Sequence, residues 1–258
     1  MSGALEIALI GMRAQQRALE ASASNISNIN TSAYKRIDMR FAELVEASSG
    51  GGIGASATGG GANGSVVGVA PWSITSLDLQ GQIDPTGNPQ DFAVEGAGFV
   101  ELIGPGGKTL LWRGGTLRVM EDGALGTAAG QILKAGITIP QDATSVRIDH
   151  EGKVWANQGT GEGEVQVGEI GLVKVNDPST VERLDGGVYA VNDEAGVTFG
   201  SPGEDGLGTI VQGALERSNV DLNAEMVALL LAQRAYAANS QVARAADEFG
   251  SIANGLRR

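Results

Sequence analysis

A lysine and a threonine directly after a run of glycines, as in Gly104-Pro105-Gly106-Gly107-Lys108-Thr109, are the residue types that cradle a phosphate in a P-loop. That loop also needs a glycine at position 102, which holds Leu102, so the run reads as a hairpin turn. His150 is the only histidine and sits between Asp149 and Glu151, where a metal could be held. The turn signal His150-Glu151-Gly152 favours a solvated turn instead. Asp84 and Asp91 are carboxylates with no context that points to acid–base work. Asn25, Asn30 and Asn63 head glycosylation-type tripeptides, which arise often by chance, and no function is assigned to them. The absence of cysteine excludes disulfides, thiolate zinc sites and cysteine nucleophiles. No catalytic residue, cofactor or metal ligand is therefore expected.

Composition points the same way. Apolar residues make up 42% of the 258, enough to bury a core, but aromatics are only 4% and glycine numbers 40. Small-residue packing and many turns follow, not an aromatic-lined pocket. A net charge of −12 argues against nucleic acid and against anionic membrane surfaces as partners. No stretch approaches the ~18–20 apolar residues of a membrane span. The first residues lack a basic region and carry Glu6 within their apolar run, a poor secretory signal. Export, if it occurs, is expected to remove nothing.

The elements that position these residues differ sharply between the ends and the middle. From residue 4 to 28, Leu5, Leu9, Met12, Gln16, Leu19, Ala23 and Ile26 recur in steps of four and three, one stripe of a helix. From 221 to 256 one stripe holds Leu222, Met226, Leu229, Gln233 and Tyr236. A second holds Ala235, Asn239, Val242, Ala246, Phe249, Ala253 and Leu256. Alternating four-three steps are the signature of a coiled-coil seam, and two stripes let the C-terminal helix face two partners. Leu5, Leu9, Met12, Leu19, Ile26, Leu222, Met226, Leu229, Gln233, Tyr236, Val242 and Phe249 are the expected subunit-interface residues. Ser218-Asn219-Val220-Asp221 fits a loosened capping box ahead of the second helix. Residues 48–65 are Gly-rich and read as a flexible segment. After it, β-like runs at 99–103, 109–112, 145–148, 153–156, 165–175 and 188–191 alternate with turn signals. The expected fold class is α+β, with N- and C-terminal helices pairing as a coiled coil and an all-β domain inserted between them. Its expected parts are 1–47 (helix and Asn-rich segment), 48–71 (Gly-rich), 72–210 (β domain) and 211–258 (C-terminal helix).

Two motifs carry a resemblance. Residues 23–36 run Ala-Ser-Asn-Ile-Ser-Asn-Ile-Asn-Thr-Ser-Ala-Tyr-Lys-Arg, and Ser218-Asn219-Val220-Asp221 continues through Glu225-Met226 to Gln233-Arg234-Ala235-Tyr236-Ala237-Ala238-Asn239. Together, at opposite ends, they are similar to the signatures of the flagellar rod and hook axial family. Asp91-Phe92-Ala93-Val94-Glu95-Gly96 resembles that family's strand entry, and Gly136-Ile137-Thr138-Ile139-Pro140 its distal-rod subgroup. A proximal rod subunit of similar length and a hook-type subunit are the alternatives. The resemblance marks Asn25, Asn28, Asn30, Thr31, Tyr34, Lys35, Ser218, Asn219, Val220, Gln233, Arg234, Tyr236 and Asn239 as motif residues, with the asparagines expected to bond neighbouring subunits. It implies a homopolymer in the basal-body rod, crossing the periplasm and exported by the flagellar type III apparatus without cleavage. Other rod subunits and the hook protein would lie at its ends and ring proteins around it, with no nucleic acid and no membrane insertion. Ala33 stands where glycine is frequent in the family, and the Gly-rich segment departs from the distal-rod pattern.

Overall fold

The computed structural model describes residues 2–46, 65–77, 79–158, 163–177, 181–184, 187–191, 196–204 and 206–255. The chain divides into two compact units. One comprises Met1–Ile26, Ile37–Ile74 and Leu222–Arg258; the other comprises Ser27–Arg36 and Thr75–Asp221.

The first unit is helical, with one ribbon. Helix α1 spans Ser2–Ser27 and α2 spans Leu222–Gly255, where the heptad spacing predicts them. Since α2 starts at Leu222, Asp221 rather than Ser218 directly precedes it, and the Ser218 hydroxyl accepts from the Val220 amide at 3.4 Å. The expected capping box is thus displaced: Ser218 closes a short turn before the helix. Strands β1 (Ile37–Glu46) and β2 (Ser65–Thr75) pair as a two-stranded sheet. Neither strand is among the β-like runs expected from the sequence. Ile37, Phe41, Val45, Val66, Val67 and Val69 supply the β-branched and aromatic residues that favour one. Most of the Gly-rich segment lies outside the described residues.

The second unit is a β domain. Its strands are β3 (Ile83–Pro85), β4 (Asp91–Glu95), β5 (Val100–Ile103), β6 (Thr109–Trp112), β7 (Gly114–Val119), β8 (Leu125–Thr127) and β9 (Ile132–Leu133). Then come β10 (Ala143–Ile148), β11 (Lys153–Gln158), β12 (Glu164–Glu169), β13 (Leu172–Val175) and β14 (Val181–Arg183). The last are β15 (Val188–Val191), β16 (Val197–Gly200), β17 (Thr209–Gln212) and β18 (Ala214–Glu216). Nine strands form one sheet in the order β14-β15-β6-β5-β9-β8-β7-β4-β17. Smaller sheets are β10-β11-β12, β13-β16 and β18-β3.

The Pro105–Gly107 turn joins β5 to β6, and Gly106 and Gly107 take φ of 73° and 79°, which only glycine adopts without cost. That backbone is a hairpin, as Leu102 in place of the first P-loop glycine implied. The expected single run at 165–175 is two strands, β12 and β13, broken at the fully buried Ile170. Its carbonyl lies so close to Gly152 that a Cβ there would sit 2.4 Å away. The core gathers Phe92, Leu102, Leu133, Val154, Ile170 and Ile210, with Phe92 edge-on to Trp112 at 5.0 Å.

Candidate functional site

The two sequence motifs meet inside the β unit. β18 puts alternate residues inward, so Ala214 and Glu216 are buried. Glu216 is a carboxylate with 1% exposure, and its partners converge from three stretches of chain. The Lys35 ammonium donates to Oε1 at 2.6 Å, the Gly81 amide to the same oxygen at 2.8 Å, and Arg113 Nε to Oε2 at 2.7 Å. Among the described residues, two cations bond this one carboxylate, and backbone carbonyls accept their other donors. Lys35 also donates to the Leu79 carbonyl at 2.7 Å, and Arg113 to the carbonyls of Gly98, at 2.9 Å, and Gly96. Its guanidinium lies 5.5 Å from the Phe99 ring centre. Buried charges persist only when paired and hydrogen-bonded in this way.

The strap that delivers Lys35 is itself fitted closely. Ala33 takes φ of 57°, left-handed for a residue with a Cβ, and its amide donates to the Glu216 carbonyl at 2.8 Å. Tyr34 is fully buried, with the Arg183 guanidinium 3.6 Å from its ring centre. Burial pushes the neighbouring Tyr189 phenol up to about 12, while the Arg183 charge and the Lys35 backbone amide pull it down. Gly81 has no room for a side chain: a Cβ would lie 1.9 Å from the Arg217 carbonyl oxygen.

Asn25 is buried, and its amide pairs with the Ile37 backbone, donating at 3.0 Å and accepting at 2.9 Å. These bonds lie within the chain. Asn28 accepts from the Thr31 hydroxyl at 3.1 Å, half-buried, and Asn30 is exposed. Asn219 donates its backbone amide to the Tyr34 carbonyl at 3.3 Å and accepts from the Arg36 amide at 2.7 Å.

In the helical unit the buried stripes consist of small and polar residues. On α1 they are Ala8, Ala14, Ala21, Ser22 and Asn25; on α2, Glu225 and Ala232. Gly11 faces Asn239, and a Cβ on Gly11 would lie 2.6 Å from the Asn239 amide nitrogen. The expected interface residues Leu5, Leu9, Leu222, Met226, Gln233, Tyr236, Val242 and Phe249 are exposed, and Met12, Leu19, Ile26 and Leu229 half-buried. At about 100° per residue, the leucine stripe of α1 lies roughly a third of a turn from its buried stripe. Val227, Leu230, Leu231 and Ile252 add further exposed apolar surface to α2.

Residues 5–35 match the family described as flagella basal body rod protein, 93–156 the flagellar hook protein FlgE/F/G D1 domain, and 211–256 the flagellar basal body rod FlgEFG protein C-terminal. The flagellar basal-body rod protein FlgG of Caulobacter vibrioides is 34% identical over 98% of this chain and 99% of its own length. The chain belongs to the flagellar basal-body rod protein family. FlgG of Agrobacterium fabrum is 34% identical over 96% of this chain and 97% of its own, and that of Borreliella burgdorferi 30% identical over 100% of both. This rod protein is a structural subunit of the distal-rod kind, related to structural proteins and not to enzymes. No helix among the described residues is long and apolar enough to cross a membrane.

Each charged member of the buried cluster falls in a different matched region: Lys35 in the first, Arg113 in the second, Glu216 in the third. Sequence reasoning singled out Lys35 but not Arg113, Glu216 or Gly81. The available signal was a charge set into an apolar run: Arg113 after Leu110-Leu111-Trp112, and Glu216 at an inward position of Ala214-Leu215-Glu216.

Proposed function

We propose that this rod subunit polymerises helically into a hollow drive shaft that transmits torque from motor to hook and forms part of the export channel. Its terminal helices pair as a coiled coil through their small-residue faces, where Gly11 meets Asn239. The helical ends within residues 1–47 and 211–258 line the channel. The chain leaves through the flagellar type III apparatus without a cleaved signal and takes its place in the rod across the periplasm. Its neighbours are further copies, other rod subunits, the hook protein at the ends and ring proteins around the shaft.

One observation carries this reading: α2 holds a broad stripe of large apolar residues away from the face it buries. Glu225 and Ala232 mark the face buried within the chain, while Met226, Leu230, Leu231, Phe249 and Ile252 share another side of the helix and are exposed. A contiguous apolar stripe of this extent marks an interaction surface, and other subunits are what would cover it. Open, non-closing contacts between copies of one chain generate a helical polymer.

Phe249→Asp tests it. Phe249 is 66% exposed in the single chain, so the isolated protein should melt unchanged. In a packed seam the same charge costs several kcal/mol, roughly 3–5, in every subunit. Expressed in a strain without the native protein, the variant should be exported yet form no rods in images of basal bodies. Normal rods of full length would refute the assignment of this face to the seam.

A further inference from the structure

Ser27–Arg36 belongs to the β unit, but the chain on both sides of it, Met1–Ile26 and Ile37–Ile74, belongs to the other unit. The stretch comes to the β unit as a separate piece, and residues 33–36 are held there as a bound peptide would be. The Ala33 amide donates to the Glu216 carbonyl at 2.8 Å, and the Asn219 amide donates to the Tyr34 carbonyl at 3.3 Å. The Arg36 amide donates to Asn219 Oδ1 at 2.7 Å, and the Ser76 amide to the Arg36 carbonyl at 2.9 Å. Two side chains are read at separate places. The fully buried Tyr34 ring lies 3.6 Å from the Arg183 guanidinium, whose Nη1 is buried without a hydrogen bond, so the ring is what holds that cation. Lys35, also fully buried, donates its ammonium to Glu216 Oε1 at 2.6 Å and to the Leu79 carbonyl at 2.7 Å. Gly187 lets the backbone approach: a Cβ there would lie 3.1 Å from the Ser32 carbonyl oxygen. Main-chain bonds along the backbone, with pockets for individual side chains, are how proteins recognise an added peptide strand.

The seat keeps its polar frame without the strap. Glu216 is still bonded by Arg113 at 2.7 Å and by the Gly81 amide at 2.8 Å. Asn219 Nδ2 still donates to the carbonyls of Leu79 at 2.9 Å and Ser76 at 3.4 Å. We propose that this seat is a peptide-binding site for a short segment in which an aromatic residue precedes lysine. Residues 33–36 fill it in the single chain, and it accepts the same segment supplied from outside the chain. The two requirements follow from the partners. Arg183 needs the face of an aromatic ring, and Glu216 with the Leu79 carbonyl needs a donor that carries charge. Methionine has the reach of lysine but no N–H to give. The site belongs to the β unit of the isolated chain and stands apart from the shaft reading.

The probe is a synthetic peptide of residues 28–36 with a fluorophore at its N-terminus. Its acceptor is the full chain carrying Tyr34→Ser and Lys35→Ser, which empties the seat. Fluorescence anisotropy should show saturable binding, at least about tenfold tighter than to the parent chain, whose seat is filled. The same peptide carrying Lys35→Met should also bind at least about tenfold more weakly, the loss expected for one charge-assisted bond. Exchange protection at the Val94 and Leu102 amides reports that the β core is folded during the measurement. No binding to the folded double variant would overturn the site. Equal binding of the methionine peptide, or equal binding to the parent chain, would do so too. If the double variant does not fold alone, the peptide should restore protection at Val94 and Leu102, and failure to restore it would overturn the proposal as directly.

Discussion

Lys35→Met removes one charge from the buried cluster while keeping the length of the side chain. Glu216 loses its 2.6 Å bond but keeps Arg113 at 2.7 Å and the Gly81 amide at 2.8 Å. The Leu79 carbonyl keeps Asn219 as a donor at 2.9 Å. Losing the charge-assisted bond to Glu216 sets the cost at about 2–3 kcal/mol. Glu216→Gln is worse, because it removes the carboxylate that both Lys35 and Arg113 bond. Its cost belongs at the top of the range for breaking a buried pair, about 5 kcal/mol. Replacing Lys35, Arg113 and Glu216 together by apolar residues should recover much of that loss, since none of the three charges then remains buried. Urea unfolding of the isolated protein, followed by fluorescence of Trp112 and Trp155, measures all three. A cost under about 1 kcal/mol for Lys35→Met, the value of a solvated surface pair, would refute a strong buried pair. So would a milder effect of Glu216→Gln than of Lys35→Met.

Gly81→Ala should destabilise the β unit by about 1–3 kcal/mol in the same assay, since its Cβ would meet the Arg217 carbonyl at 1.9 Å and backbone must shift. Tyr189 gives a pH signature: its folded value, about 12, lies above the ordinary 10.0. A raised value stabilises the fold fully below pH 10, and that contribution is lost as pH rises through about 12. Tyr189→Phe should remove this alkaline loss, as seen by comparing unfolding curves across that window alongside tyrosinate absorbance. At the exposed Arg147–Glu164 pair, Glu164→Gln should leave the urea midpoint where it is in the parent, because water and salt screen the pair.

The helices, the turns and several strands were legible because their signals are local. Thr109–Trp112 and Val188–Val191 are apolar runs bounded by turn residues, and the strands begin and end where those runs do. The cluster around Glu216 was not legible, because its partners lie 181 and 103 residues away in sequence. Neither periodicity nor spacing reports such a meeting. The stripe of large residues on α1 illustrates a different limit. Leu5 and Leu9 mark a strongly apolar face, yet the chain buries Ala8, Ala14 and Ala21 instead. Small residues permit close approach within the chain, as Gly11 does for Asn239, and the larger ones are left for surfaces the single chain does not contain. The ribbon at Ile37–Glu46 was hidden by its neighbourhood, an Asn-rich segment before it and glycines after it.

The distance in sequence between Lys35 and Glu216 has a consequence for timing. A domain completed by a contact across 181 residues must close a very long loop, a slow step compared with local pairing. Until Glu216 is available, the Tyr34–Lys35 strap has nowhere to seat, and until Lys35 arrives, Glu216 and Arg113 lack one member of their charge balance. On the export route proposed for this chain, a segment still threaded through a narrow channel cannot take part in that closure. The β domain would therefore stay unlocked during passage and lock only once both motifs stand on the same side of the channel, a built-in delay that keeps the chain thin while it travels.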